Sequence, residues 1–200
     1  MSTIFFLLVL IFSVVVHEVS HGLAALALGD PTAKYAGRLT LNPLKHIDIL
    51  GSIIVPLMCA LLPGSLMFGW AKPVPVNPYN LKYGKWGDVI VSAAGPLSNI
   101  LIALASGLSL RFFAEQIPQV TGGFLLMICI TNIVLALYNL IPVSPLDGSH
   151  ILFAFLPESF QGVKKAMEGQ GFLFAIIFAV VLWQYFTPVI QWVLNLIVGM

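Results

Sequence analysis

Five stretches of this chain are apolar over lengths that match a membrane, and polar, proline-rich segments separate them. The first runs from about Thr3 to Leu28. At about 1.5 Å of rise per residue it crosses a hydrocarbon core of about 30 Å. Gly29-Asp30-Pro31 closes it with a helix-stop signature. Residues 32–47 behave differently: they alternate, contain Thr and Tyr, and carry Lys34, Arg38 and Lys45. That pattern predicts a short strand-like hairpin with a turn at Asn42-Pro43. The second apolar stretch, about Asp48 to Phe68, is broken by Pro56 and by Pro63-Gly64. A loop rich in Pro, Gly and Asn follows, from Gly69 to Trp86. Membrane helices are then expected over about 88–110 and 123–141, joined by a short polar connection. The second of these runs into Pro142 and Pro145, which break it. A short apolar piece at 151–156, a polar loop at 157–170 and a last membrane stretch at 171–198 complete the chain. Pro188 is expected to kink that last stretch. No internal repeat interrupts this plan, so residues 1–200 are expected to form a single domain. The fold class is an all-α polytopic membrane protein with about five membrane segments, located in the cell membrane.

Charge orients these segments. Lys and Arg number three in 32–47, three in 70–87, one in 111–122 and two in 157–170. Basic loops prefer the cytoplasm. If the first helix runs inward and 48–68 is a re-entrant hairpin, eight of the nine basic residues are cytoplasmic. If 48–68 spans once, a basic loop is misplaced. The re-entrant arrangement is therefore preferred. Such backbone is allowed at membrane depth only where protein buries it or where it lines a wet cavity.

Composition agrees. The 200 residues are 59% hydrophobic and 8% charged, and the mean hydropathy is +0.99. Soluble domains carry about a quarter charged residues, so the lipid bilayer is the expected surroundings. With a net charge of +1 and no run of Lys or Arg, nothing suggests nucleic acid as a partner. Ala25-Leu26-Ala27 looks like a signal-peptidase site, but the start lacks a basic residue and the apolar core is too long. Cys59 and Cys129 both lie in apolar segments and are expected to be small buried hydrophobes rather than a disulfide.

Against this background one stretch is out of place. His17-Glu18-Val19-Ser20-His21 holds the only ionisable side chains of the first apolar run. Charged groups at that depth cost several kcal/mol unless paired, metal-bound or wet. On a helix, positions i and i+4 share a face, so His17 and His21 can grip one cation. Glu18 then lies to the side, where it can act on water without ligating the metal. A buried polar cluster bonded to a neighbouring helix is the plainer alternative. Asp147, isolated after two prolines and before Gly148, can complete a His/His/carboxylate zinc site with an open fourth position. Its plainer role is a helix N-cap. His150 shares a face with Asp147 and is read as a supporting or interfacial group. His46, beside Asp48, is read as a satisfied polar pair. Gly95 and Asn99 are read as residues that let helices pack closely.

Taken together, these motifs resemble the site-2 protease family of intramembrane zinc metalloproteases. HEVSH matches the family's HExxH, and Asn139-x-x-Pro142 followed by Leu146-Asp147-Gly148 matches its NxxPxxxLDG. Ala94-Gly95-Pro96-Leu97-Ser98-Asn99 matches the helix between them. The segment from Gly69 to Pro78 (GWAKPVPVNP) looks like short bacterial members. No loop has room for a PDZ-like or CBS-like insertion. The resemblance implies one zinc ion on His17, His21 and Asp147. It implies Glu18 as general base, and Asn139 as a contact to substrate backbone or oxyanion. The expected activity is hydrolysis of a peptide bond within or near a transmembrane helix of a substrate protein, toward the cytoplasmic side. The 32–47 stretch would bind unwound substrate by strand addition. Two other classes fit the same polar groups: a transporter or channel using them as a proton or metal path, and a non-catalytic membrane scaffold.

Overall fold

The computed structural model describes residues 3–55, 57, 58, 69–157, 160, 162, 167, 169, 171 and 185–199. Among these it is all-helical. Three helices are long and apolar enough to cross a membrane: α1, Thr3–Ala27; α3, Lys85–Phe113; and α4, Gln119–Asn139. Between the first two lies a single helical turn, α2, Thr32–Tyr35. After α4 come α5, Asp147–Phe155, and α6, Tyr185–Val198. Helix α3 is the centre of the bundle and packs on α1, α4 and α5. An apolar core of Ala103, Cys129, Ile133, Ile197 and Val198 ties α3, α4 and α6 together. Cys129 is buried and free there. Cys59 lies outside the described residues, as do the proposed turn at Pro63-Gly64 and most of the 171–184 part of the last stretch.

Helix α1 stops where the sequence says it should, and the atoms show how. Gly29 takes φ 103°, a left-handed conformation that glycine adopts without a Cβ penalty. Asp30 N–H then reaches back to Ala25 O at 2.8 Å, and Gly29 N–H to Leu26 O at 3.1 Å. These are the paired bonds of a Schellman ending, which satisfy carbonyls the helix leaves open.

The strand-like hairpin expected over 32–47 does not form. The buried Asp30 carboxylate accepts from Thr32 N and Thr32 Oγ1 and starts the helical turn α2 instead. Asn42 caps a second turn by accepting from Leu44 N at 3.1 Å, and Pro43–His46 is a 3-10 helix. Local side-chain bonds of this kind offer the backbone an alternative to a ladder. With no strand at 32–47 this stretch offers no free edge for substrate pairing by strand addition.

Hydrogen bonds from side chains and main chain hold this layer onto the 70–80 loop. Asp30 Oδ2 accepts from Asn77 N at 2.7 Å, and its Oδ1 from Asn80 Nδ2 at 2.9 Å. The buried Arg38 donates to the carbonyls of Lys72 and Pro73. Asp48 caps the π-helical turn Ile49–Ile54 by accepting from Gly51 N. Trp70 N donates to Gly51 O, Ser52 Oγ to Trp70 O, and Lys72 N to His46 O. The chain that leaves at Ser52 therefore returns to the place it left when it reaches Trp70.

Candidate metal centre

Helix α1 presents His17 and His21 on one buried face, one turn apart, as i and i+4 must be. The two rings meet edge to face with centroids 4.6 Å apart. Opposite them stands Asp147. The chain leaves α4 at Asn139, passes Pro142 and Pro145, and restarts as α5 with Asp147 as its first residue. Leu146, not Asp147, occupies the N-cap position, and no side chain caps there. The carboxylate is turned to the imidazoles instead. Asp147 Oδ2 lies 3.1 Å from His17 Nε2, and Oδ1 lies 3.3 Å from His21 Nε2. Gly148 lets α5 start there, because a Cβ at that position would strike the carbonyls of Leu140 and Ile141. The structure thus brings together residues 126 positions apart in sequence, His21 and Asp147, by folding α3 and α4 between them.

The donor set fits a cation. Each histidine's Nδ1 faces an acceptor at 2.7 Å: Val91 O for His21, and Asn99 Oδ1 for His17. A carbonyl cannot donate, so Nδ1 carries the hydrogen and Nε2 presents a lone pair. The two Nε2 atoms are 3.0 Å apart. Two lone pairs at that separation repel each other. Beside them Asp147 Oδ2 is buried and makes no hydrogen bond despite its closeness to His17. All three ligand atoms lie within 4.8 Å of one another. A cation among them converts three mutually repelling acceptors into a ligand set, with hydrogen bonds behind both imidazoles, as metal-binding histidines usually have.

Glycine 95 makes the space. A Cβ on Gly95 would collide with Nε2 of both histidines. It therefore does more than let helices approach: it leaves α3 flush against the ligand atoms. Asn99, one turn further along α3, is fully buried and supports His17. Sequence reasoning assigned both residues to packing. Their i, i+4 spacing, opposite an i, i+4 histidine pair, was the signal available.

Glu18 is half-buried. Its Oε2 accepts from Val74 N at 2.8 Å, from the 70–77 loop. Asn139 Nδ2 donates to Leu135 O at 2.9 Å within its own helix. His150 stays outside the triad and faces Asp88 Oδ2, with Nδ1 at 3.2 Å, at the start of α3. His46 does not pair with Asp48. Its Nε2 bonds Thr40 O at 2.9 Å, and its buried Nδ1 makes no hydrogen bond.

Helices of membrane length around a His/His/Asp cluster define the class: an all-helical protein with apolar spans and a cluster between them that could hold a metal ion. Residues 113–184, which include the Asp147 motif but not HEVSH, match the profile described as "Peptidase family M50". The chain is 36% identical over 189 residues to a Bacillus subtilis protein named "Putative zinc metalloprotease YwhC". That match covers 90% of this chain and 83% of the relative. A Mycolicibacterium smegmatis protein named "Putative zinc metalloprotease Rip2" is 29% identical over 185 residues, covering 90% of this chain and 69% of its own. Its Mycobacterium tuberculosis namesake is 26% identical over 191 residues, covering 92% and 70%. No solved structure matches the chain. The chain belongs to peptidase family M50, the site-2 protease family.

Proposed function

We propose that this chain, acting as one domain, is a zinc metalloendopeptidase that cuts a transmembrane substrate protein inside the lipid bilayer of the cell membrane. The observation that carries the reading is the convergence of His17 Nε2, His21 Nε2 and the Asp147 carboxylate among helices long and apolar enough to cross a membrane. Neutral nitrogen and carboxylate ligands of this number favour zinc. A zinc ion held by these three residues would supply the Lewis acidity that lowers the pKa of water and polarises a peptide carbonyl.

The chain's own groups do the rest. Val91 O and Asn99 Oδ1 keep both imidazoles in the ligating tautomer. The Val74 N–H holds one oxygen of Glu18 in place, and Glu18 Oε1 is assigned the proton. It takes that proton from the attacking water and returns it to the amine nitrogen as the carbon–nitrogen bond breaks. The products are a carboxylic acid and an amine. Asn139, whose Nδ2 is bonded within its own helix, is assigned a contact to substrate backbone or oxyanion.

The orientation follows from one end of the molecule. Lys34, Lys45, Lys72, Lys82 and Lys85 are all exposed there, together with Tyr35, Tyr79, Tyr83 and Trp86. Exposed lysines with Tyr and Trp suit the headgroup region of the cytoplasmic leaflet. The return of the chain at Trp70 to Gly51 and Ser52 supports a re-entrant path for the segment between them. Helix α1 then runs inward, and cleavage falls in the cytoplasmic half of the membrane.

The test is Glu18→Gln in proteoliposomes, with a reporter protein bearing one transmembrane helix. The variant is expected to keep one zinc per chain and to lose about 10²- to 10⁴-fold in cleavage rate. Undiminished cleavage removes Glu18 as the base. Product termini outside the apolar segment of the reporter exclude cleavage within the membrane.

A further inference from the structure

Polar side chains inside a bundle of membrane helices are costly, and this bundle keeps two asparagines with no measurable exposure. Asn99 lies on α3 and Asn132 on α4. Helices associate without them through small residues and apolar packing. Their hydrogen bonds form one connected path, and its direction can be read from groups that have no choice of role.

The path starts at main-chain oxygens. Asn132 faces Ile128 O at 2.9 Å. A carbonyl only accepts, so the Asn132 atom facing it is Nδ2, and the same nitrogen donates to Ser13 Oγ at 2.9 Å. Asn132 Oδ1 is thereby turned to Asn99, 2.9 Å from its amide nitrogen. That nitrogen must be the donor, and it also faces Ser13 O at 3.4 Å. Asn99 Oδ1 is left to face His17, and its only complement there is an Nδ1–H. Each step excludes the opposite assignment of the next. His21 reaches the same state in one step, because its Nδ1 faces Val91 O directly. One ligand is therefore set by backbone alone, and the other by two side chains from two further helices.

We infer that Asn132 and Asn99 form a directional hydrogen-bond relay that holds His17 in its zinc-binding tautomer. Asn132 is a positioning residue that acts on the metal centre only through Asn99. The inference rests on the zinc reading above and deepens it. Without Asn132, only the longer 3.4 Å contact to Ser13 O opposes a turnover of the Asn99 amide, and the turned amide presents its nitrogen to His17, which selects the tautomer with hydrogen on Nε2. That tautomer has no lone pair for a metal.

The test is zinc affinity of the full-length chain in detergent, measured by competition with a chromogenic chelator. Asn99→Leu removes the acceptor and is expected to weaken zinc binding about 10- to 100-fold. Asn99→Asp keeps an oxygen at Nδ1 and is expected to stay within about threefold of the parent. Asn132→Leu is expected to weaken binding about tenfold, and the double variant Asn99→Leu/Asn132→Leu no more than Asn99→Leu alone. Thermal unfolding of each variant reports folding separately. If Asn99→Leu does not fold, the comparison of Asn132→Leu with Asn99→Asp carries the test. Parent-like affinity in folded Asn132→Leu, or additive losses in the double variant, overturns the relay. A parent chain that binds no zinc, or binds it equally well as His17→Ala, overturns the zinc reading instead, so the two failures are distinct.

Discussion

His17 and Glu18 are neighbours in the chain and are held by opposite kinds of structure. His17 is gripped by helices: its ring is buried, and its Nδ1 is bonded to an amide on α3. Glu18 is gripped by a loop. Its partner is the main-chain N–H of Val74, in a stretch with no regular structure from Gly69 to Asn77. That stretch is in turn tethered by Arg38, through the carbonyls of Lys72 and Pro73, and by the Lys72 N–H to His46 O bond. Packed helices move little and fail abruptly when overfilled. A tethered loop gives way by degrees. On the roles proposed above for His17 and Glu18, metal binding and proton transfer should therefore respond differently to mutation, although the two residues are one peptide bond apart.

The sharpest way to break that comparison is Gly95→Ala. The added methyl lands on Nε2 of both histidines, so the rings must shift to admit it. The expected result is loss of zinc to below one-tenth of an equivalent per chain, about a tenfold effect or more, with the protein still helical by circular dichroism. Full zinc occupancy would mean the helices yield as easily as the loop. An intermediate effect is expected for Arg38→Ala, which unties the 70–77 loop. Cleavage should fall about 3- to 30-fold as Glu18 loses its fixed partner, while zinc content stays at one per chain. Joint loss of zinc and cleavage would show that the loop serves the metal side as well.

The smallest effect concerns Asp30, which lies past the end of α1. Burial pushes its carboxyl upward, but the bonds from Thr32, Asn80 and Asn77 outweigh that and hold it below the usual carboxylate range. A depressed folded value means the unfolded chain binds protons more readily. The stabilisation is complete above the ordinary carboxylate range and is lost as pH falls through the folded value. Asp30→Asn cannot accept all of these bonds, so it should melt a few degrees lower near pH 7. The gap to the parent should narrow toward pH 3. A gap that is constant or widens with acid would contradict this account of the layer.

How much of this could be read from the sequence differs between the two regions for the same reason. Spans α1, α3 and α4 were legible because apolar length is a property of the chain itself. His17, Glu18, His21 and Asp147 stood out because ionisable groups at that depth are rare. The layer at 32–47 was misread because alternation of Thr, Tyr and apolar residues looks like a strand. What decided its form was a single carboxylate, Asp30, with donors on both sides of it. Asn132 lay in plain view, a polar residue in the middle of an apolar helix. Its partners are 33 and 119 positions away, Asn99 and Ser13, and one sequence does not say which helices touch.

Glycine 95 carries a consequence for anyone tracing this lineage. HEVSH and LDG announce a metal by the side chains that are present, whereas position 95 announces it by a side chain that is missing. On the function proposed above, a descendant that kept both motifs but gained alanine or serine at 95 would still be spelled like an enzyme, yet its added Cβ would fall on Nε2 of both histidines. The absent methyl is thus as much a part of the proposed centre as the two motifs.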